Sequence, residues 1–552
     1  MAIFDLERFR ELAFGGSALP DHPLRTVADA TAAIAELPAG DPHAALADLT
    51  ALAKTMNETD SFSAGRRARI LCALDEAARD LWRELGAEYL APGGRPLHAD
   101  GDVNILRAFF DSASEFADGF AIALDAAGES KSSWVKANLA RIHLRNMRWL
   151  AKRLALAHML RSPVISAIWE RIHRLHRLAE EQGLARLAQP VFEGNRYPSS
   201  VRQEYVRCLL LELASPQSMP GRQVELAFRV AGRVASAAHL DADRSTSTAF
   251  AVVPWGDSRP VLVQRVGPNV APAPLYLDAT LCLPKLRAAR ERDMGRDPSE
   301  PDTLYGGEFT LGERLAMIDR LLEHWGMDAP QRHARRVAMA SPARVVGGFE
   351  QVVKVLPALV PGELAVKRRD LQLELDETSR GLLRERLRAA VRAGAARVID
   401  ASTGGLGVAL RRQDGKWAKH GELVAVRIEP GNAWVVGVVR RIFPVDDELR
   451  LGIQVLSTRP RAVSLSAEAL TRDCPWEESI RLEATFNEYY KKAIVLDPAP
   501  DLGIGDVLLE PGLASRGSQF EVLLPAGPKR MRVARLLHAG DHYQRALCEP
   551  LE

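Results

Sequence analysis

Val398-Ile399-Asp400-Ala401-Ser402-Thr403-Gly404-Gly405-Leu406-Gly407-Val408 reads as a strand, a glycine-bent polar turn and a second strand. Apolar residues on both sides bury the backbone, while the turn leaves Asp400 and Ser402 able to meet a ligand. Gly404, Gly405 and Gly407 permit either a positive φ or a close approach to a bound group. The pattern is D-x-S-x-x-G. Such turns join many β-strands, so its meaning depends on its surroundings.

Around it, from about 331 to 465, the chain reads as mostly β. Strands are predicted at 343–355, 397–401, 406–411, 421–429, 433–442 and 449–456. Trp434-Val435-Val436-Gly437-Val438-Val439 followed by Arg440-Arg441 suits a barrel strand that leaves the core on reaching solvent. A helical insert interrupts at about 370–396. Over 378–395 it places Leu382, Leu383, Leu387, Ala390 and Val391 on one face and Arg on the other. Beyond it, 466–552 adds strands at 492–496, 506–509, 519–524, 531–538 and 542–548 and reads as a β-rich extension.

Upstream, residues 1–240 read as an all-helical domain. Apolar residues recur at three- and four-residue spacing, with helices near 44–56, 64–90, 104–126, 132–160, 165–187, 200–214 and 220–239. No fixed-period repeat is present. Texture changes near Asp241, and 241–330 reads as a small α+β linker domain. Its short strands lie at 250–253, 260–263 and 274–277, and its helices at 280–292 and 310–325.

Bulk properties bound the function. At 552 residues the chain holds about three or four domains. With 73 basic and 71 acidic residues the net charge is only +2, so no global field draws nucleic acid or anionic lipid. The basic residues are mostly Arg, suited to a bidentate grip on phosphates and guanine edges. Five dispersed cysteines (Cys72, Cys208, Cys282, Cys474, Cys548) argue against a disulfide framework or a zinc site. No apolar run reaches the roughly 18 residues of a membrane span, and no signal segment opens the chain. The expectation is a cytoplasmic protein.

The D-x-S-x-x-G turn resembles one half of the signature of PilZ domains, which bind cyclic di-GMP. The other half is an upstream R-x-x-x-R just before the first barrel strand. Arg332-His333-Ala334-Arg335-Arg336 supplies that spacing, and Arg344-Val345-Val346-Gly347-Gly348-Phe349 follows. Gly421-Glu422-Leu423 resembles the polar start of the family's next long strand, and Arg450-Leu451-Gly452-Ile453-Gln454-Val455 its closing one. The features stand in family order. One departure is the long detour from Arg336 to Asp400, which matches the helical insert. A competing pair, Arg388 and Arg392, ends only eight residues before Asp400. That leaves too little chain for a first strand, so Arg332/Arg336 is preferred.

The resemblance implies a cyclic di-GMP site. Guanine presents O6 and N7 acceptors that an Arg fork meets with two hydrogen bonds. Its opposite edge presents N1–H and N2–H donors, which need a carboxylate such as Asp400. In family members the Arg pair clamps the ligand against the barrel. By resemblance Arg332 and Arg336 do so here, with Arg335 as a helper and Asp400, Ser402, Gly404 and Gly405 as the floor. The plain alternatives are a solvated Arg-rich segment, and an Asp400 and Ser402 that cap only their own turn.

Other candidates are set down. His173 and His176 are spaced for a metal on a helix, but flanking Arg residues disfavour a cation, and a solvated basic face is expected. Asp278 is expected to cap a helix. Glu488 to Lys492 reads as an exposed helix end. No nucleophile elbow, paired-carboxylate site, metal site or P-loop is present, so no catalytic residue and no cofactor is assigned. The reading is a cyclic di-GMP receptor that signals through its helical domain to an unidentified protein partner, without nucleic acid or a membrane span. The alternative is a scaffold or chaperone-like protein with a ligand-free, degenerate PilZ-like barrel.

Overall fold

Several helix starts in the first of the chain's two units, Met1–Gln331 and Arg332–Glu552, coincide with side chains that accept from the free amides of a first turn. Thr26, Ser200 and Thr310 each accept from the N–H three residues on, where Asp29, Gln203 and Glu313 return the bond to the cap's own amide. Asp41 accepts from His43 and Ala44, with Pro42 opening the helix. The computed structural model describes residues 22–91, 99–192, 194, 197–267, 270–296, 305–327, 336–358, 393–445, 447–467, 490–497, 505–524, 527–540 and 542–551.

Within the first unit the helices run α1 (Val27–Ala35), α2 (Pro42–Asn57), α3 (Ala64–Tyr89), α4 (Ala99–Asp125), α5 (Ser133–Met159), α6 (Ile165–Glu181), α7 (Val201–Leu213) and α8 (Gly221–Val234). Strands β1 (His239–Asp241), β2 (Phe250–Val252), β3 (Val261–Leu262) and β4 (Leu275–Asp278) form one sheet in the order β1-β4-β2-β3. Helices α9 (Leu283–Met294) and α10 (Leu311–His324) follow. The helix α5 packs against α4, α6, α7 and α8. Its Trp149 stacks on Phe116 at 4.7 Å and meets Trp82 edge-on at 5.2 Å. The same helix buries Arg145, which is satisfied by Asp75, Glu76 and the carbonyls of Cys72 and Val191.

His173 and His176 depart from the expected solvated face, since both are buried. His173 Nδ1 lies 2.9 Å from the Tyr205 hydroxyl and Nε2 2.8 Å from the Ser258 carbonyl. A carbonyl only accepts, so Nε2 carries the proton and Nδ1 accepts from Tyr205. His176 stacks on the ring of that tyrosine at 4.0 Å. The Arg residues around them masked an apolar stripe (Ile168, Trp169, Ile172, Leu175) whose turns the two histidines share. Asp278 is not the helix cap expected: its Oδ1 accepts from the Thr280 amide at 3.0 Å in a local turn, one residue ahead of the cap position, Ala279, of the short 3-10 helix Thr280–Cys282.

In the second unit, β5 (Val337–Gly347), a short helix α11 (Phe349–Val355), β6 (Gly394–Ser402), β7 (Gly405–Arg411), β8 (Leu423–Ile428), β9 (Trp434–Val445) and β10 (Glu448–Ser457) come first. Their strands close into a barrel in the order β10-β7-β6-β5-β8-β9. Alternation sends Val345, Val398, Val408, Val424, Leu451 and Ile453 inward. The strand predicted over 343–355 therefore ends early. Gly348 takes φ +90°, and Phe349, Val352, Val353 and Leu356 recur at helical spacing. Gly347 must lack a side chain, because a Cβ would sit 1.9 Å from the Trp417 ring. Most of the predicted helical insert lies outside the described residues, and from Gly394 onward the chain is strand.

A second closed barrel follows, from β11 (Arg461–Ala467), β12 (Tyr490–Val495), β13 (Asp506–Leu509), β14 (Gln519–Leu524), β15 (Gly527–Ala539) and β16 (Gln544–Pro550), ordered β11-β12-β13-β16-β15-β14. Tyr490, Lys491 and Lys492 thus belong to a strand rather than the expected helix end. Between the barrels runs an apolar seam. Leu423, Ala425, Val436 and Val438 from the outside of the first barrel meet α11 and Ile494, Leu496, Leu508 and Tyr543. At its edge His542 Nδ1 lies 3.2 Å from Glu422 Oε2. The N-terminal helical region followed by a β-barrel is the architecture expected from the sequence, and the β-rich extension expected after it closes as a barrel of its own.

Candidate functional site

The strand register assembles the site on the outer face of the first barrel. Strand β5 begins beside the end of β6, with Val337 opposite Ala401 and Ala338 opposite Asp400. Arg336, the residue just ahead of β5, is thereby delivered to the turn. Its Nη1 donates to Asp400 Oδ1 at 2.5 Å, each side chain 28% exposed. That exposure leaves the pair open to competition by a ligand, and an exposed ion pair contributes only about 0–1 kcal/mol.

Strands β6 and β7 are joined by a two-residue turn, Thr403-Gly404, with Ser402 paired to Gly405. Ser402 Oγ donates to the Gly405 carbonyl at 3.3 Å. None of Gly404, Gly405 and Gly407 takes a left-handed φ, so close approach is what requires glycine here. A Cβ at Gly407 would stand 2.6 Å from Asp400 Oδ1, and one at Gly405 would stand 3.0 Å from the Ile453 carbonyl and 3.7 Å from Arg336 Nη2. Gly404 has open space around its Cβ position. The Val455 amide donates to the Gly404 carbonyl at 3.1 Å, which ties the turn to β10.

Across the sheet the row continues from Asp400 to Gly407, Gly452 and Arg441 on successive strands β6, β7, β10 and β9. The Arg441 stem lies over Gly452, its Cβ 3.0 Å from where a glycine Cβ would be. The parallel row runs Ser402, Gly405, Gln454, and Gln454 Oε1 accepts from Arg440 Nε at 2.9 Å. A bulge opposite Gly452 and Ile453 lets two consecutive arginines, Arg440 and Arg441, occupy this end of β9. The sequence reading left out Arg440, Arg441 and Gln454. Their signal was an Arg pair at the end of an apolar strand, which marks solvent more often than a site.

Arg332, Arg335, Arg388 and Arg392 lie outside the described residues. Among the described residues, no group of three or more His, Cys, Asp or Glu side chains is arranged to hold a metal ion. No helix of the described residues is long and apolar enough to cross a membrane.

Two family models match the chain. Residues 368–462 match the family model described as the middle PilZ domain of the cyclic-di-GMP receptor FimW. Residues 28–245 match the model for that receptor's N-terminal domain. No curated protein matches the chain. The PilZ match takes in the Asp400–Gly405 turn and Arg388/Arg392. It starts after Arg336 and β5, although β5 completes the same barrel. Together the two models cover more than half of the chain, in family order, and the chain belongs to the FimW family of PilZ-domain cyclic-di-GMP receptors.

Proposed function

We propose that this chain binds cyclic di-GMP on the outer face of its first barrel and passes the occupancy of that site to a protein partner through its helical N-terminal unit. One observation carries the reading. Arg336 and Asp400, 64 positions apart, meet at 2.5 Å beside the glycine turn. A guanine edge rich in N–H donors meets the Asp400 carboxylate, and an Arg fork takes O6 and N7 or a phosphate oxygen. Ser402 supplies a short hydroxyl once it gives up the Gly405 carbonyl. Arg332 and Arg335 join from the lead-in segment. Signalling requires that the ligand favour one arrangement of the lead-in over another, because only differential affinity shifts an equilibrium.

The assignment of Arg332 and Arg336, rather than Arg388 and Arg392, is tested by equilibrium dialysis of the full chain with labelled cyclic di-GMP. Arg332→Ala and Arg336→Ala are expected to lose at least tenfold in affinity, with Arg388→Ala and Arg392→Ala close to wild type. The opposite ranking overturns the assignment.

A second reading, a ligand-free structural barrel, has one observation in its favour. Asp400 and Ser402 already have partners within the fold, Arg336 and the Gly405 carbonyl. It requires that partner capture be identical with and without the dinucleotide and that titration release no heat.

A further inference from the structure

The row from Ser402 through Gly405 to Gln454 does not stop at the edge of the first barrel. Gln454 holds the Arg440 guanidinium, and Arg440 follows Val438 and Val439 along β9, just past the point where Val438 enters the seam with Tyr543 of the second barrel. Beside Tyr543 stands His538, its ring 4.9 Å away. Arg545, also from the second barrel, reaches the same place. One of its Nη atoms bonds Asp506, while its buried Nε has no hydrogen-bond partner among the described residues.

The strand register places these groups together: His538 pairs with Arg545 across β15 and β16, and Arg440 lies two residues beyond Val438, which packs with Tyr543. Burial first, and then the charges of Arg440 and Arg545, hold His538 below its ordinary value. The Tyr543 hydroxyl is raised by burial, and the same two guanidinium groups oppose that rise. Two arginines and a histidine therefore converge from two barrels, with Asp506 the carboxylate seen on Arg545. Such a convergence, with one N–H donor unspent, is what an anion satisfies.

We infer that Arg440, Arg545 and His538 form a second phosphate-binding point of the same site, so that a guanine dinucleotide anchored at Asp400 also bridges the two barrels. This rests on the reading of the turn as a cyclic di-GMP site. The dimensions suit it. Strand β10, which carries Gln454, lies two strand spacings from β6, about 10 Å, and Gly405 and Gly407 on the strand between them carry no side chain of their own, with Asp400, Arg336 and the Ser402 hydroxyl bordering them. A cyclic dinucleotide has two phosphodiesters on opposite sides of its ring. With one guanine on the turn, one phosphodiester faces Arg336 and the other faces the seam.

The test is titration calorimetry of the full chain with cyclic di-GMP, using Arg440→Ala, His538→Gln, Asp400→Ala and the control Arg450→Ala. Arg450 is exposed on the same outer face, on β10 opposite Ala409. Arg440→Ala and His538→Gln are each expected to weaken binding at least fivefold, with Arg450→Ala within twofold of wild type and melting temperatures unchanged. Wild-type affinity in both seam variants, with binding lost in Asp400→Ala, overturns the second point and leaves the turn standing. An equal loss in Arg450→Ala assigns the effect to general charge and also overturns it. No heat with the wild type removes the turn and the second point together.

Discussion

Arg336 Nη1 and Asp400 Oδ1 are 2.5 Å apart, joining the residue ahead of the first barrel strand to the floor of the glycine turn. Because they contact each other and are assigned to one ligand, their effects on binding should not add. A double-mutant cycle on Arg336→Ala and Asp400→Ala is expected to show each single variant losing tenfold or more in cyclic di-GMP affinity, and the double variant losing clearly less than the product. Strict additivity would show that the two side chains do not act on the ligand as a unit.

Gly407 is where the site is most sensitive to one added methyl group. A Cβ there stands 2.6 Å from Asp400 Oδ1, so the carboxylate must move to admit it. Gly407→Ala is expected to lower affinity about tenfold while costing about 1–3 kcal/mol of stability. Gly505→Ala, outside the turn and with open space at its Cβ, is the control and is expected to bind within twofold of wild type. Calorimetry with a thermal melt on each variant separates the two effects.

In the first unit two buried histidines couple stability to pH. His143 and His173 are each lowered to about 4 from an ordinary 6.5, chiefly by burial. The hydrogen bonds that His143 and His173 donate to the Gln182 Oε1 and the Ser258 carbonyl oppose the shift only in part. The fold favours the neutral rings, so the unfolded chain takes up protons first as the pH falls. Stability from this source is intact above pH 6.5 and falls between 6.5 and about 4, by about 3 kcal/mol per histidine at the acid limit. Urea midpoints at pH 7.5 and 5 are expected to fall together with pH, and His143→Gln should flatten the dependence.

The seam between the barrels is held by α11. Phe349 is 8% exposed and packs with Val352, Val353 and the outer residues of both barrels. Phe349→Ala is expected to cost about 3 kcal/mol or more. Fluorescence of Trp417, which covers Gly347 just ahead of the helix, reports the transition. An unchanged urea midpoint would mean that the seam contributes nothing to folding.

Most of the elements were legible because their periodicity was clean. The alternation Val424/Val426 against Leu423/Ala425 marks a strand covered on both faces, and the Ser200–Gln203 capping box marks a helix start. The helix at Phe349–Val355 was hidden because Val352-Val353 and Val355 carry strand propensity, and only the packing of Phe349, Val352, Val353 and Leu356 on one side decides otherwise. Strand Arg461–Ala467 escaped notice because Arg-Ala-Val-Ser-Leu-Ser-Ala alternates with small polar residues. At the candidate site, Arg336, Asp400 and Ser402 followed from motif spacing. Arg440 and Gln454 did not, since their nearness to the turn depends on the β7–β10 register and on a bulge that local sequence does not announce.

The central claim is that the Arg336–Asp400 turn is a cyclic di-GMP site. Its most direct measurement is a calorimetric titration of cyclic di-GMP into the full chain and into Asp400→Ala, with circular dichroism confirming that both are folded. Saturable heat with micromolar or tighter affinity in the wild type, lost at least tenfold in the variant, is the expected result. No heat in the wild type, or the same affinity in both, would contradict it.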